Sequence, residues 1–527
     1  MDRHADSFSD SCPDEWAQQA SRRATAEEVL RAHPGVQEAA VIRDSGNNLV
    51  AFVVPDNDYV NEVLGRRAAG LTVVGKWRKI FDLSQFSKRA TSASVGFNTM
   101  GWDSSYTRGA IPAGEMHEWV ENTVGDILRL KPRTVCEIGC GTGMLVLGVA
   151  PHCERYVAVD YSPAVLGRLK EQLRTVPEVA KRVEVVERQA ANLDDFSENT
   201  FDTVVLSSVV QFFPSMDYLT KVLEIAVSIV RPGGYVYVGD VRSLPLLQAF
   251  ASSVELFQAA DELSVGELRD RIRRRVEREP ELALSPAYFL SLRNTNPKIS
   301  RVDIRPLRGR ADNEMTRFRY EAILHIGHDG AAVFDGEFLD WTEHRWGLDE
   351  IRSILRQHAN QPIGIRGIGN GRIEKDLAAM QILDVADAGY SAGALRQKIE
   401  EKLDEGIHPQ GLFDLENEDL GFAVFLSWMA CRHDGSYDAF FIPKESLRGM
   451  ALPAIGWSEP DASEVANLAN APGQGKFRNE LIRQLVAHCR QNLPEALAPD
   501  EIALVDMLPR AADGEVAEQD LLKARLT

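Results

Sequence analysis

The stretch Val135-Cys136-Glu137-Ile138-Gly139-Cys140-Gly141-Thr142-Gly143-Met144 constrains this chain more than any other. The apolar run from Thr134 to Ile138 has the length of a short buried strand. Three glycines at alternate positions make a tight turn, and Met144 to Val149 opens an apolar helical run. Strand, glycine loop and helix in that order suit a nucleoside ligand. Glycine lets the backbone approach a ligand closely and adopt positive φ, and the helix amino terminus directs unpaired N–H groups into the loop. A dinucleotide site asks for G-x-G-x-x-G, but here Met144 stands where the third glycine would fall. The loop is instead E-x-G-x-G-x-G, built from Glu137, Gly139, Gly141 and Gly143. The next strand, Tyr156 to Asp160, ends in an acid placed to take two ribose hydroxyls.

At 527 residues the chain exceeds one ordinary domain, and about three or four units are expected. A hydrophobic content of 44% is enough for large cores. No apolar run approaches the ~18–20 residues of a membrane span, and the acidic, polar amino terminus is unlike a secretory signal. The expectation is a soluble cytoplasmic protein with no membrane partner. The six cysteines are scattered over the whole length and read as reduced thiols, and no metal spacing is present. A net charge of -19 argues against a nucleic-acid partner, which needs a basic face.

Beyond Asp160 the pattern continues with strands over Val183 to Val186, Thr203 to Leu206 and Tyr235 to Gly239. Helices over Pro163 to Leu173 and Met216 to Val230 alternate with them, which predicts a parallel sheet covered on both faces. The loop with Glu137 and Asp160 resembles the S-adenosylmethionine loop of class I methyltransferases. The phrase "GFNTMGWDSSYTRGAIPAGEMHEWVENTV" and the later "SSVVQFFP" are similar to the N-methyltransferase domains inserted in the adenylation domains of nonribosomal peptide synthetases. Ser207 stands where that family usually has Asn. On both flanks, "EEVLRAHPGVQEAAVI" with "LVAFVVP", and Asp500 to Pro509, resemble the small carboxy-terminal subdomain of adenylation domains.

The resemblance implies an α/β chain: a class I, Rossmann-like methyltransferase with a seven-stranded, mostly parallel sheet, an α/β appendage, and a small discontinuous α+β adenylation-type subdomain. The expected boundaries are 1–64 with 474–527 for the subdomain, 76–330 for the methyltransferase, 331–447 for its carboxy-terminal lobe, and 448–473 for a linker. Val302 to Pro306 and Phe318 to Ile326 are expected as the antiparallel sixth and seventh strands, joined by a polar loop from Gly309 to Arg317. Helices between Leu244 and Glu279 are expected as a lid, where six arginines from Arg269 to Arg278 read as a solvated face or a docking patch for an acidic carrier.

The implied cofactor is S-adenosylmethionine. It would be held by the loop residues, by Asp160 with Tyr161, by Gln189, Ala190 and Ala191 at the adenine, by Ser207, and by Trp102. Trp102, Tyr106 and Trp119 are rings that could face a sulfonium, although Trp119, on an amphipathic helix from Met116 to Leu130, reads as core. Asp240, Gln211 and Glu314 are candidates to accept hydrogen bonds from an amine or take its proton, and Arg242 to orient an acid or a carbonyl. Asn313 belongs to the polar loop proposed for substrate recognition.

The implied reaction is N-methylation of the α-amino group of an aminoacyl or peptidyl thioester on the carrier protein of a synthetase, reached in trans. Adenylation is not expected, because Glu515 occupies the place of the family's lysine and a carboxylate opposes developing phosphate charge. Two alternatives stay open: methylation of a free amino acid, peptide or other small molecule at N, O or C, and a docking subunit without catalysis.

Overall fold

The computed structural model describes residues 23–56, 102–327, 336–447 and 468–510, apart from short internal gaps, with a few isolated positions beyond them. The phrase ahead of Trp102, most of the 448–473 segment and Glu515 lie outside the described residues. The chain divides into two compact units, Met1–Thr72 with Gly473–Thr527, and Val73–Pro472.

In the smaller unit, Val36–Arg43 and Leu49–Pro55 pair antiparallel, and Glu501–Leu504 adds a parallel third strand against the latter. The Asp500 carboxylate accepts the Leu49 backbone N–H at 2.7 Å, which ties segments 451 residues apart. Leu481, Leu485 and Cys489 of the helix Gln474–Asn492 close a core with Leu30, Val41 and Val53.

The larger unit is built on seven strands: β1 (Thr134–Ile138), β2 (Arg155–Asp160), β3 (Val183–Glu187), β4 (Phe201–Ser207), β5 (Val230–Ser243), β6 (Ile299–Pro306) and β7 (Arg319–Ile326). Their spatial order is β3-β2-β1-β4-β5-β7-β6. The first five run parallel, and β7 lies antiparallel to both of its neighbours, β5 and β6. This is the class I methyltransferase sheet, with only β7 reversed. A two-residue strand, Ala283–Leu284, extends the carboxyl end of β5.

The strands form where continuous apolar runs can be buried on both faces. Val204, Val205 and Leu206 of β4 have no exposed surface, and each such side chain contributes about 1.5–3 kcal/mol by burial. Register at the start of β1 is set by Asp202 of β4, which accepts the backbone N–H of Thr134 at 3.0 Å and that of Arg133 at 3.2 Å. The stretch Arg231 to Tyr235 forms a bulge inside β5, where the β4 register shifts between Phe201 and Thr203 and Gly233 takes a φ of 84°.

Around the sheet lie α1 (Ala113–Arg129), α2 (Met144–Val149), α3 (Pro163–Arg174) and α4 (Met216–Ile229). Two helices, α5 (Leu247–Gln258) and α6 (Val265–Glu277), occupy the stretch expected as a lid. Of the six arginines there, Arg269 binds the carbonyls of Leu383 and Ala386, Arg273 pairs with Asp270 and Arg275 with Glu255. Arg271, Arg274 and Arg278 are exposed. The stretch expected as a polar loop contains a short helix, α7 (Glu314–Phe318), so the chain between β6 and β7 is stiffer than a loop. The appendage is a second sheet of four strands, ordered Glu337–Asp340, Ile363–Ile368, Tyr437–Pro443 and Phe422–Ser427, with α8 (Glu374–Val385) among its helices. Among the described residues, no helix is long and apolar enough to cross a membrane. The described cysteines, Cys136, Cys140, Cys153 and Cys489, are buried and free.

Candidate methyltransferase site

The strand order reverses between β1 and β4, and ligands of such sheets bind outside the carboxyl ends of the strands at that point. A cavity of about 270 Å³ opens there. Its floor is the glycine loop. Gly139, Gly141 and Gly143 have φ of 81°, 52° and 87°, a region that side chains disfavour. A Cβ on Gly139 would come 2.5 Å from Val209, and one on Gly143 2.4 Å from Leu169, whereas one on Gly141 would meet nothing within 4 Å. Gly139 and Gly143 therefore pack the loop against the fold, while Gly141 presents open backbone to the cavity.

Asp160 fixes this loop from β2. Its carboxylate accepts the N–H of Gly141 at 3.0 Å and that of Ser162 at 3.0 Å, and Ser162 in turn caps α3. Glu137, at the end of β1, is buried and accepts the Tyr156 hydroxyl at 2.7 Å. Burial raises its pKa to about 7 from 4.5, the Tyr156 hydrogen bond opposes the rise, and the Asp160 charge adds to it. A carboxyl whose pKa is raised on folding stabilises the fold fully below its unfolded value and loses that contribution as pH climbs through the folded one. Glu137→Gln should accordingly gain stability relative to the wild type between pH 5 and 8, by on the order of 3 kcal/mol in the ligand-free protein. Parallel denaturant titrations at the two pH values check this. A difference that does not change with pH contradicts the assignment.

Of the cofactor candidates, Trp102, Glu137, Gly139, Gly141, Asp160, Tyr161, Gln189, Ala190 and Ser207 line the cavity; Gly143 and Ala191 do not. Trp119 is buried as expected of core, yet it also lines the cavity, its ring 4.9 Å from that of Trp102. Its Nε1, with Ser207 Oγ and Gln211 Oε1, is buried without a hydrogen-bond partner among the described residues. Polar atoms stranded in this way at a cavity wall fit a site that a polar ligand completes. The acid at the β2 end, the open glycine backbone and these atoms together fit a nucleoside-bearing cofactor.

Of the acceptor-side candidates, Gln211, Glu314 and Arg242 reach the cavity. Tyr106 does not line it. Its hydroxyl is held by Arg317 at 2.5 Å and Ser253 at 3.0 Å, its ring packs edge-on against Phe250 and Phe257, and burial raises its pKa to about 12. Asn313 also turns away: it is the N-cap of α7, accepting the Met315 and Thr316 N–H groups and donating to Glu115 at 2.8 Å. Asp240 lies just behind the wall, wholly buried, held by Ser208 at 2.6 Å and Arg319 at 2.7 Å. Burial raises its pKa, and Arg319 opposes the rise. Ser208 and Asp240 both have positive φ, 53° and 60°, strain of the kind that collects at functional sites.

Several lining residues come from outside the expected set: Ser105, Arg188, Ser208, Glu281 and Arg319. Ser105 donates its N–H and its hydroxyl to the two oxygens of Glu314, at 2.7 and 2.9 Å, and so fastens the 102–111 segment along the cavity. Gln258 of α5 adds bonds to the carbonyls of Ser105 and Tyr106. Among the described residues, no cluster of three or more His, Cys, Asp or Glu is placed to hold a metal ion.

Sheet order, glycine loop and strand-end acid together define an S-adenosylmethionine-dependent methyltransferase domain, and residues 136–236 match the family model described as a methyltransferase domain. Residues 25–80 match a second model, the AMP-binding enzyme C-terminal domain. The chain is homologous to modules of nonribosomal peptide synthetases. It is 34% identical over 514 residues to chondramide synthase of Chondromyces crocatus, covering 94% of this chain and 13% of that protein. With cyclosporin synthetase of Tolypocladium inflatum it shares 27% identity over 95% of this chain and 3% of that protein. With the beauvericin nonribosomal cyclodepsipeptide synthetase of Beauveria bassiana the figures are 27%, 96% and 17%. The chain thus spans a small fraction of these relatives. Among solved structures it is similar to the N-methyltransferase NodS of Bradyrhizobium japonicum bound to S-adenosyl-L-homocysteine, with TM-score 0.27 and 15% identity over 40% of this chain and 87% of that one. It is also similar to the magnesium protoporphyrin IX methyltransferase of Synechocystis, with TM-score 0.31 and 12% identity over 48% and 97%.

Proposed function

We propose that this chain methylates the α-amino nitrogen of an aminoacyl or peptidyl thioester presented in trans by a synthetase carrier protein. The observation that carries the reading is that the glycine loop and Asp160 open into the same cavity as Gln211 and Glu314, two groups able to accept amine hydrogens. When bound, S-adenosylmethionine supplies a methyl group on a sulfonium, already activated for transfer. The chain's own task is then to hold a neutral amine in line and exclude water. An α-amine titrates at about 7.7–8.0, and a neighbouring thioester lowers this, so a neutral fraction exists near pH 7 without a strong base. Its remaining hydrogens need acceptors that aim the lone pair. Gln211 Oε1 is buried and has no partner among the described residues, and the Glu314 carboxylate is fixed by Ser105.

Gln211→Leu, close in volume but lacking the acceptor, should lower kcat by about 5- to 30-fold through loss of one hydrogen bond to the amine. The affinity for S-adenosylmethionine should not change. Stopped-time assays beside calorimetry separate the two quantities, and a lost cofactor affinity with kcat preserved would contradict the role. For adenylation, Glu515 in place of the family's lysine supports a subdomain without that activity.

The reaction itself is tested by intact-mass spectrometry of carrier proteins loaded with a panel of amino acids, incubated with the enzyme and S-adenosylmethionine beside the same amino acids free. A gain of one methyl on the loaded carrier supports the proposal. A gain on the free compounds alone replaces it with small-molecule methylation, and no gain on any acceptor despite cofactor binding favours a docking role.

A further inference from the structure

We infer that Arg319 binds the carbonyl oxygen next to the accepting nitrogen, so that the site recognises an uncharged α-amino carbonyl unit instead of an amine alone; this rests on the acceptor reading proposed above. Three guanidinium groups line the cavity: Arg188, which adjoins Gln189 and pairs with Asp195 at 3.1 Å, and Arg242 and Arg319. Arg242 is consumed by the protein. It pairs with Glu281, lies 3.4 Å from Glu279 and stacks over Phe250 at 4.7 Å. Arg319 is committed differently. Its Nη1 donates to Asp240 at 2.7 Å, while its Nη2 lies 3.7 Å from Glu314, too far for a hydrogen bond. A guanidinium carries five donors in a rigid plane, so the edge of Arg319 on the cavity still has N–H groups to give.

The arrangement of these groups selects the ligand chemistry. An amine offers hydrogens to Gln211 and Glu314 but nothing to Arg319, whose buried donors would then be left without a partner at a cost. A carbonyl one bond from the amine-bearing carbon provides the missing acceptor. Charge decides between a neutral carbonyl and a carboxylate. Around Arg319 stand the carboxyl groups of Asp240 and Glu314, two acids to one cation, so a further carboxylate meets repulsion that a thioester or amide carbonyl does not. The position of Arg319 is itself enforced, because Asp240 is gripped by Ser208 and both residues sit in strained backbone, Asp240 within the carboxyl-terminal third of β5 and Ser208 just after β4.

The test compares three acceptors sharing one side chain, at saturating S-adenosylmethionine: the aminoacyl N-acetylcysteamine thioester, the free amino acid, and the corresponding carbonyl-free amine. In the wild type kcat/KM for the thioester should exceed both others by about 10- to 100-fold, the range set by a hydrogen bond to a charged group. Where the amine turns over too slowly, its inhibition constant against the thioester supplies the same ratio. Arg319→Lys retains the cation beside Asp240 but loses the planar fork. It should lower the thioester value by about 10-fold, leave the amine value in place and keep the cofactor affinity read by calorimetry.

A thioester-to-amine ratio unchanged in Arg319→Lys overturns the inference, as does an equal fall on both acceptors, which marks a purely structural arginine. A free amino acid matching the thioester overturns the choice of an uncharged carbonyl. Wild-type enzyme that methylates none of the three while binding cofactor overturns the acceptor reading and this inference with it. That outcome is distinguishable because the others all require wild-type turnover.

Discussion

Asp160→Ala is expected to raise the Kd for S-adenosylmethionine by two to four orders of magnitude. A carboxylate that takes two ribose hydroxyls makes two charge-assisted hydrogen bonds of about 1.5–3 kcal/mol each, and about 1.4 kcal/mol is a factor of ten in affinity. The same side chain holds the loop, since its oxygens accept Gly141 N–H and Ser162 N–H. Its removal therefore frees the backbone that the cofactor approaches as well as deleting the ribose contact. Asp160→Asn, which retains one carbonyl acceptor, should fall between the wild type and alanine. Calorimetric titration of the three proteins checks the order, and an alanine variant with wild-type affinity would show that the ribose is held elsewhere.

The second large effect concerns stability. Arg319→Met should destabilise the methyltransferase unit by about 3–5 kcal/mol, because it strands the Asp240 carboxylate in a fully buried position without its cation. The loss should shrink as pH falls. Burial already raises the Asp240 pKa against the opposing pull of Arg319, and without that arginine the group protonates at still higher pH. The double variant Arg319→Met/Asp240→Asn should recover most of the loss, since no charge is then left unpaired. Denaturant melts of the single and double variants measure the coupling. If the double variant is as unstable as the single one, Arg319 stabilises the fold through packing and not through its charge.

What could be read in the sequence is what is local in the chain. The glycine loop, Asp160 and the strands between them lie within about thirty residues of one another, so spacing and periodicity reported strand, turn and ligand edge together. The acceptor side is assembled by topology. Ser105 and Glu314 are 209 residues apart, and Arg319 meets Asp240 only because β7 inserts beside β5 in reverse. No periodicity announces such a meeting, and Arg319 shares its strand with two other titratable residues, Glu321 and His325, all of them buried. Asn313 was a different kind of miss. Asn313 with Thr316 three residues on is a readable helix N-cap signature, and the chain uses it as one, with α7 in place of the expected loop. Tyr106 shows the limit of counting aromatics near a cation site. Whether a ring faces the ligand or the core depends on its partners, here Arg317, Ser253 and two phenylalanines from other elements.

Transfer of a methyl group to an α-amino nitrogen is the reaction proposed for this cavity. The most direct measurement uses S-adenosylmethionine carrying a ¹³C-labelled methyl and an aminoacyl-loaded carrier protein, followed by release of the amino acid and location of the label by tandem mass spectrometry and NMR. The label is expected on the α-nitrogen of the released amino acid, and none in a parallel reaction with Asp160→Ala at a cofactor concentration that saturates only the wild type. Label on oxygen, on carbon or on a side-chain atom would contradict it.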